Sequence, residues 1–211
     1  MPTAPTRPAL RARYDRRRRA VVDATAHVFA ERGYHATTIA ALLEQTGLSA
    51  GALYHYVTGR DELLVLICDE LLDPLLERAQ EILAADRAPE AQLRELLRAW
   101  LAHIERHLDH MRVFQQERHV IERDPRWQEI RAKRLAFERL LDGLLAQAEE
   151  SGALAIPNRR LALFALLGMV NYTPTWFRPS GRLPAEEIAD GYYELLVNAY
   201  RPRTGARTDD S

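Results

Sequence analysis

A single cysteine, Cys68, stands in 211 residues, so no intrachain disulfide is possible and the chain must fold on its apolar core alone. Set in the apolar run LLVLICDELL, Cys68 reads as a small buried hydrophobe rather than a reactive thiol, and a reducing cytoplasm is the matching compartment. Long hydrophobic runs are equally scarce. The longest, residues 161–170, falls well short of the roughly 18 to 20 apolar residues a membrane span needs, so no membrane partner is expected. The arginine-rich start lacks the apolar stretch and small-residue cleavage site of a signal peptide. Lysine is as rare as cysteine: Lys133 stands alone, and arginine carries nearly all the positive charge.

What is present is an ordinary globular composition, 47% hydrophobic, with charge distributed unevenly. The formal net charge of −1 hides a front of +5 through Arg60 and a remainder of −6. An anion-seeking surface therefore belongs to the front.

Residues 1–13 combine prolines, threonines and arginines without apolar periodicity. They read as a disordered basic arm, either a solvated tail or one that touches the minor groove of DNA. From residue 14, Val21, Val22, Val28 and Phe29 recur at helical spacing, and Gly33 stands where a C-cap glycine belongs. Arg16, Arg17, Arg18 and Arg19 crowd the first turns of this expected helix, where the macrodipole disfavours cations. A phosphate backbone would relieve that conflict; a tolerated basic patch is the alternative.

Residues 37–57, TTIAALLEQTGLSAGALYHYV, read as two short helices joined by a glycine turn, the layout that places a helix in the major groove. Thr37 or Thr38 caps the first, Gly47 ends it, and Ser49 caps the second, which runs from Ala50 to about Tyr56. A plain core hairpin is the alternative. Ala50, Gly51 and Ala52 keep its front small, as close approach to another surface requires. Glycine in so short a helix costs about 1 kcal/mol against alanine and needs such a reason. Leu53 is the inward anchor, while Tyr54, His55 and Tyr56 offer groups for phosphates or base edges.

The run GYHATTIAALLEQTGLSAGALYHYVTGRDELL resembles the DNA-binding domain of the tetracycline-repressor-like (TetR) family. Gly33, Tyr34, Thr37, Thr38, Gly47, Leu48, Ser49, Gly51, Leu53, Tyr54, Tyr56, Arg60 and Leu63 fall in register with the family pattern. The resemblance implies that Thr37 or Thr38, Tyr54, Tyr56 and Arg60 hold phosphates while the front of the second short helix faces bases. Leu42 and Leu43, Thr46 and Val57 depart from the pattern, the larger side chains falling at a close helix contact. The expected DNA-binding set is Arg18, Thr37, Thr38, Ser49, Ala50, Gly51, Ala52, Tyr54, His55, Tyr56 and Arg60.

Beyond residue 60 further amphipathic helices follow. One long helix carries Leu64, Ile67, Leu71, Leu75 and Ile82 on a stripe, with a kink expected near Pro74. The next has its stripe at Leu93, Leu97, Trp100, Ile104, His107 and Met111. Here His107 is either a hydrogen-bonded core residue or a ligand, and with His103 it has the i,i+4 spacing of a zinc pair, although no H-E-x-x-H motif supports a hydrolase. Another helix is expected over residues 112–123. In the stripe after Pro125, Arg134 interrupts apolar neighbours and either pairs with a glutamate of the body, such as Glu105 or Glu117, or awaits an anionic ligand. Residues 159–177 are apolar on nearly all sides, and residues 185–200 carry Ile188, Tyr192, Leu195 and Ala199. Such helices are best buried against a second copy of the chain.

A second segment, WFRPSGRLPAEEIA, with Trp176, Phe177, Pro179, Gly181, Leu183, Glu187, Ile188 and Ala189, is similar to TetR members controlling fatty-acid or steroid-derived acyl-CoA catabolism. It implies an acyl-CoA effector; alternatively it only shapes a loop between two dimer helices. Trp100, His107, Phe114, Arg118, Arg134, Phe137, Tyr172 and Trp176 form the expected ligand set, the aromatics lining a pocket and the arginines taking phosphates.

The expected molecule is all-α with about nine helices: a disordered arm at 1–13, a three-helix helix-turn-helix DNA-binding domain at 14–60, a larger helical ligand-binding and dimerisation domain at 61–200 and a disordered tail at 201–211. It is expected to be a cytoplasmic homodimer through its last two helices, bound to a palindromic operator on double-stranded DNA. A small hydrophobic or acyl-CoA-type effector would release it as a repressor. No metal or other cofactor and no enzymatic activity are expected. The alternatives are a metal-dependent helical enzyme using His103 and His107, and an activator or ligand-independent regulator on the same fold.

Overall fold

Proline at the first position of a helix loses nothing, because the first amide has no intrahelical acceptor. The first helix uses this: in the computed structural model, which describes residues 7–202, α1 runs Pro8–Arg32. The expectation of an irregular arm through residue 13 is thereby corrected for residues 8–13, where alanine, leucine and arginine favour helix and Arg11 pairs with Asp15 at i,i+4. Residues 1–6 and 203–211, the rest of the expected arm and most of the expected tail, lie outside the described residues.

The order continues with α2 (Ile39–Thr46), α3 (Ala50–Tyr54), α4 (Arg60–Ala84), α5 (Pro89–Arg106), α6 (Leu108–Gln116), α7 (Arg118–Arg123), a 3-10 turn (Pro125–Trp127), α8 (Gln128–Glu150), α9 (Arg159–Trp176) and α10 (Ala185–Tyr200). Among the described residues there is no strand. The count among the described residues exceeds the expected nine because residues 108–123 form two helices parted at Glu117, whose φ of −92° and ψ of 6° depart from helical values. None of these helices is long and apolar enough to cross a membrane.

Two compact units result. The first holds the chain up to Pro74 together with His107–Arg134; the second holds Leu75–Arg106 and the chain from Leu135. Packing thus divides the chain inside α4 rather than at residue 60.

In the first unit Val22, Ala26 and Phe29 of α1, Leu42 of α2, Leu53 of α3 and Leu63, Leu64 and Ile67 of α4 have no exposed surface. Burial of such a side chain contributes about 1.5–3 kcal/mol. Cys68 is buried as well, and desolvation pushes its thiol pKa far up, as suits an inert core residue. Lys133 reaches from α8 to Asp69 (2.6 Å) and Asp73 (2.7 Å) on α4. In the second unit buried Gln92 donates to the carbonyls of Ile82, Leu83 and Ala85, satisfying the otherwise open end of α4. Helices α5 and α10 pack together, tied by Asp190, which accepts from Arg94 at 2.9 Å and from Arg98 at 2.8 and 2.6 Å.

Those hydrogen bonds, Arg98 first and Arg94 second, hold the Asp190 carboxyl well below the usual carboxylate range. A depressed folded pKa gives stability that is present above about pH 4 and is lost as pH falls through the lower folded value. Asp190→Asn should therefore lower Tm at neutral pH, and the gap from the parent protein should close as thermal melts are taken below about pH 4.

Candidate nucleic-acid interface

Helix α2 starts at Thr38, whose hydroxyl accepts from the Ala41 amide at 3.1 Å, and stops at Gly47, whose φ of 67° and ψ of 11° are left-handed. A side chain at residue 47 would be strained by that backbone alone. Two residues on, Ser49 caps α3 by accepting from the Ala52 amide at 3.1 Å. The turn thus sets the direction of α3 through one left-handed residue and one cap. Thr46 replaces the alanine of the family pattern without leaving an orphan: its hydroxyl donates to the Leu42 carbonyl at 2.8 Å and accepts from the Leu48 amide at 3.4 Å.

Buried Leu53 anchors α3, while Ser49, Ala50, Gly51, Tyr54 and His55 are exposed and Ala52 is half-buried. A Cβ at Gly51 would meet nothing within 4 Å. Nothing inside the protein therefore requires glycine there. Behind this front, the ring of Tyr14 from α1 stands 5.0 Å from that of Tyr56 and 5.6 Å from that of His55.

The sequence-predicted set separates into two groups. Thr38 and Ser49 are exposed caps, and Tyr54 and His55 project outward. Thr37, Tyr56 and Arg60 are turned to structural ends. Thr37 is 1% exposed and its hydroxyl donates to the Gly33 carbonyl at 2.8 Å. Tyr56 is buried against Tyr14. Arg60 donates to the carbonyls of Thr37 at 2.9 Å and His35 at 3.4 Å, and its guanidinium lies over the Tyr34 ring. The Tyr34 hydroxyl donates to Asp61; burial first and that bond second push its pKa up to about 12. Sequence pattern cannot separate a phosphate-holding arginine from one that braces the loop before α2, because both need the same side chain.

Arg16, Arg17 and Arg19 are exposed and Arg18 is half-buried. Because α1 begins at Pro8, they lie beyond its first turn, where the dipole has faded. The conflict read from the sequence does not arise; the exposed charge remains.

The predicted ligand set divides between the two units, with His107, Phe114, Arg118 and Arg134 in the first and Trp100, Phe137, Tyr172 and Trp176 in the second. Trp100 and Phe137 of the second unit meet edge to face with centroids 4.7 Å apart. Tyr172 and Trp176 of the same unit point outward, 66% and 42% exposed. Phe114 is buried in the first unit, and Arg118 is exposed there, 3.9 Å from Glu122. Arg134 pairs at 2.9 Å with a glutamate, as one of its two readings expected, and that glutamate is Glu122. His107 does not continue the stripe of α5: that helix ends at Arg106, and φ of −122° with ψ of 40° removes His107 from helical register with His103. The zinc pair read from i,i+4 spacing presumed an unbroken helix.

In the segment around Gly181, much of the motif has a role in the loop itself. Phe177, Ile188 and Ala189 are buried. Gly181 donates to the Arg178 carbonyl at 2.8 Å in a turn so tight that a Cβ would approach that oxygen to 2.9 Å. Only Trp176 and Leu183 stay exposed among its large apolar positions.

Gly51→Ala gives the test of this front. Helix propensity predicts an unchanged or slightly raised Tm, whereas close approach of the backbone to DNA predicts weaker binding of the DNA fragment 5′ to its gene, read by fluorescence anisotropy.

Residues 21–67 match the family of bacterial regulatory proteins called tetR, and residues 86–200 match a tetracyclin repressor-like C-terminal domain. The transcriptional repressor KstR2 of Mycobacterium tuberculosis is 25% identical over 182 residues, covering 86% of this chain and 91% of its own length. The fatty acid metabolism regulator protein of Bacillus subtilis is 23% identical over 180 residues, 84% of this chain and 92% of its own. The solved structure of KstR2, a ketosteroid transcriptional regulator of M. tuberculosis, superposes with a TM-score of 0.82 at 25% identity over 88% of this chain and 95% of that one. AibR bound to isovaleryl coenzyme A and operator DNA superposes at 0.73, also at 25% identity, over 86% and 98%. With the short capped helices of its first unit and the matched helices of its second, the chain belongs to the TetR family of bacterial regulatory proteins.

Proposed function

We propose that the chain is a homodimeric transcriptional repressor that holds a palindromic operator through α2 and α3 and is released by an acyl-CoA-type effector. The observation that carries the DNA reading is the open front of α3, where a Cβ at Gly51 would meet nothing within 4 Å and Tyr54 is half exposed. In this reading Ala50, Gly51, Ala52 and His55 approach the bases. Thr38, Ser49, Tyr54 and the arginines from Arg16 to Arg19 hold phosphates, and Thr37, Tyr56 and Arg60 position them. With alanines at the reading front, sequence discrimination falls to His55, Tyr54, backbone contacts and DNA shape.

Dimerisation through α9 and α10 is supported by what α9 leaves uncovered. One face buries Ala162, Leu163, Leu166, Leu167 and Val170, but Leu161, Phe164 and Tyr172 are 61%, 51% and 66% exposed, with exposed Gly168 between them. On α10, Leu195 is 62% exposed beside exposed Gly191. Apolar side chains separated by glycines allow two helix pairs to approach closely. Phe164→Glu should convert a dimer to monomers in analytical ultracentrifugation while leaving the monomer folded, since the residue is already half exposed.

The effector class rests on relatives named for fatty-acid and ketosteroid regulation and on the AibR complex with isovaleryl coenzyme A. Two head spacings suffice as mechanism: one matches half-sites about 34 Å apart, and the effector favours the other. Differential binding of about 1–3 kcal/mol would weaken the operator complex roughly 5- to 150-fold. A gel-shift series on that upstream fragment, with acyl-CoAs of several lengths, steroid-derived CoA thioesters and free fatty acids, tests this directly. Release by one CoA thioester class is the expected outcome. Retention of the complex against all of them would reject the effector class and leave the repressor reading intact, whereas failure to bind the fragment would reject both.

A further inference from the structure

Buried imidazole nitrogens in proteins nearly always find a partner. His110 on α6 is 4% exposed, and its Nε2 is buried without a hydrogen bond. Two carboxylates flank it, one from each of two other helices: Asp23 of α1 has Oδ1 at 3.4 Å, and Glu70 of α4 has Oε2 at 3.6 Å. Neither accepts a hydrogen bond from the ring despite that closeness. The three ligand atoms all lie within 4.8 Å of one another.

These separations suit a shared ion better than a direct contact. Atoms bound to a tetrahedral zinc at about 2.0–2.2 Å stand roughly 3.3–3.5 Å apart, close to the two imidazole–carboxylate distances. One imidazole and two carboxylates are a donor set for borderline divalent cations, and the soft thiolate that selects copper(I) is absent from the cluster. Asp23, with 61% of its side chain exposed, leaves an open side through which the ion can enter and a water can take the fourth position.

We propose that Asp23, Glu70 and His110 form a binding site for a divalent transition-metal ion such as zinc, which cross-links α1, α4 and α6 within the first unit. The placement has a consequence for the head. Asp23 is one turn beyond the exposed arginines of α1, and Glu70 lies on the helix that follows α3. An ion held between them fixes the helix that carries the arginines against the helix that leaves the reading element. The site is distinct from the His103 and His107 spacing, and it needs no ligand in the second unit.

The test uses the full-length chain, stripped with a chelator and titrated with zinc alone by isothermal calorimetry. One ion per chain and a raised Tm are expected. Asp23→Asn, a change of an exposed side chain that the fold tolerates, and His110→Ala should each weaken zinc by more than the roughly 10- to 100-fold that outer-shell changes cost. His27, which contacts Asp109 at 2.9 Å on the surface, is the control for adventitious imidazole–carboxylate binding, and His27→Ala should leave the affinity unchanged. Absence of stoichiometric zinc would overturn the site. Zinc that binds Asp23→Asn as tightly as the parent, or that is lost in His27→Ala, would overturn it as well.

Discussion

A helix of five residues cannot hold itself together, because an isolated helix needs roughly 12–15 residues to be even marginal in water. Helix α3 is that short, and the rest of the first unit is arranged to supply what it lacks. Gly47 sets its direction, Ser49 satisfies its opening amide, Leu53 roots it in the core and the Tyr14–Tyr56 contact braces its end. Because the stabilising groups all lie behind or before the helix, its front can stay small. The element that meets DNA in the proposed mode therefore contributes little to its own stability.

The same economy explains the loop between α1 and α2. Tyr34 donates to Asp61, and Arg60 covers the Tyr34 ring while donating to the carbonyls of Thr37 and His35, so the chain leaving α1 and the start of α4 are locked together around the short helices. Arg126 joins this group through Asp61 at 2.6 Å. A guanidinium is suited to this use, since one Nη1 donates to two carbonyls while the planar face covers a ring.

The second unit answers a different demand. It must be stable while carrying an apolar face that nothing among the described residues covers. Its internal contacts are accordingly strong where α5 meets α10, through two arginines on one aspartate, and where buried Gln92 closes α4. With those contacts in place, Phe164, Tyr172 and Leu195 are left outside, where a second copy would bury them.

Local chemistry alone determined the helix-turn-helix, because glycine at a left-handed position and Ser or Thr at a cap act within three residues and need no tertiary support to be read. The extents of α9 and α10 were equally legible from apolar content and periodicity. Periodicity misled where it ran through a break. The stripe from Leu93 to Met111 is continuous in sequence, yet the backbone turns at His107, so a spacing argument paired His103 with His107. Tertiary structure brought Asp23, Glu70 and His110 together instead, three residues 47 and 40 positions apart in the chain, which no local window can join. It also assigned Arg134 to Glu122 and turned Thr37 and Arg60 inward, since a long side chain's partner is fixed by which helices pack and not by its neighbours in sequence.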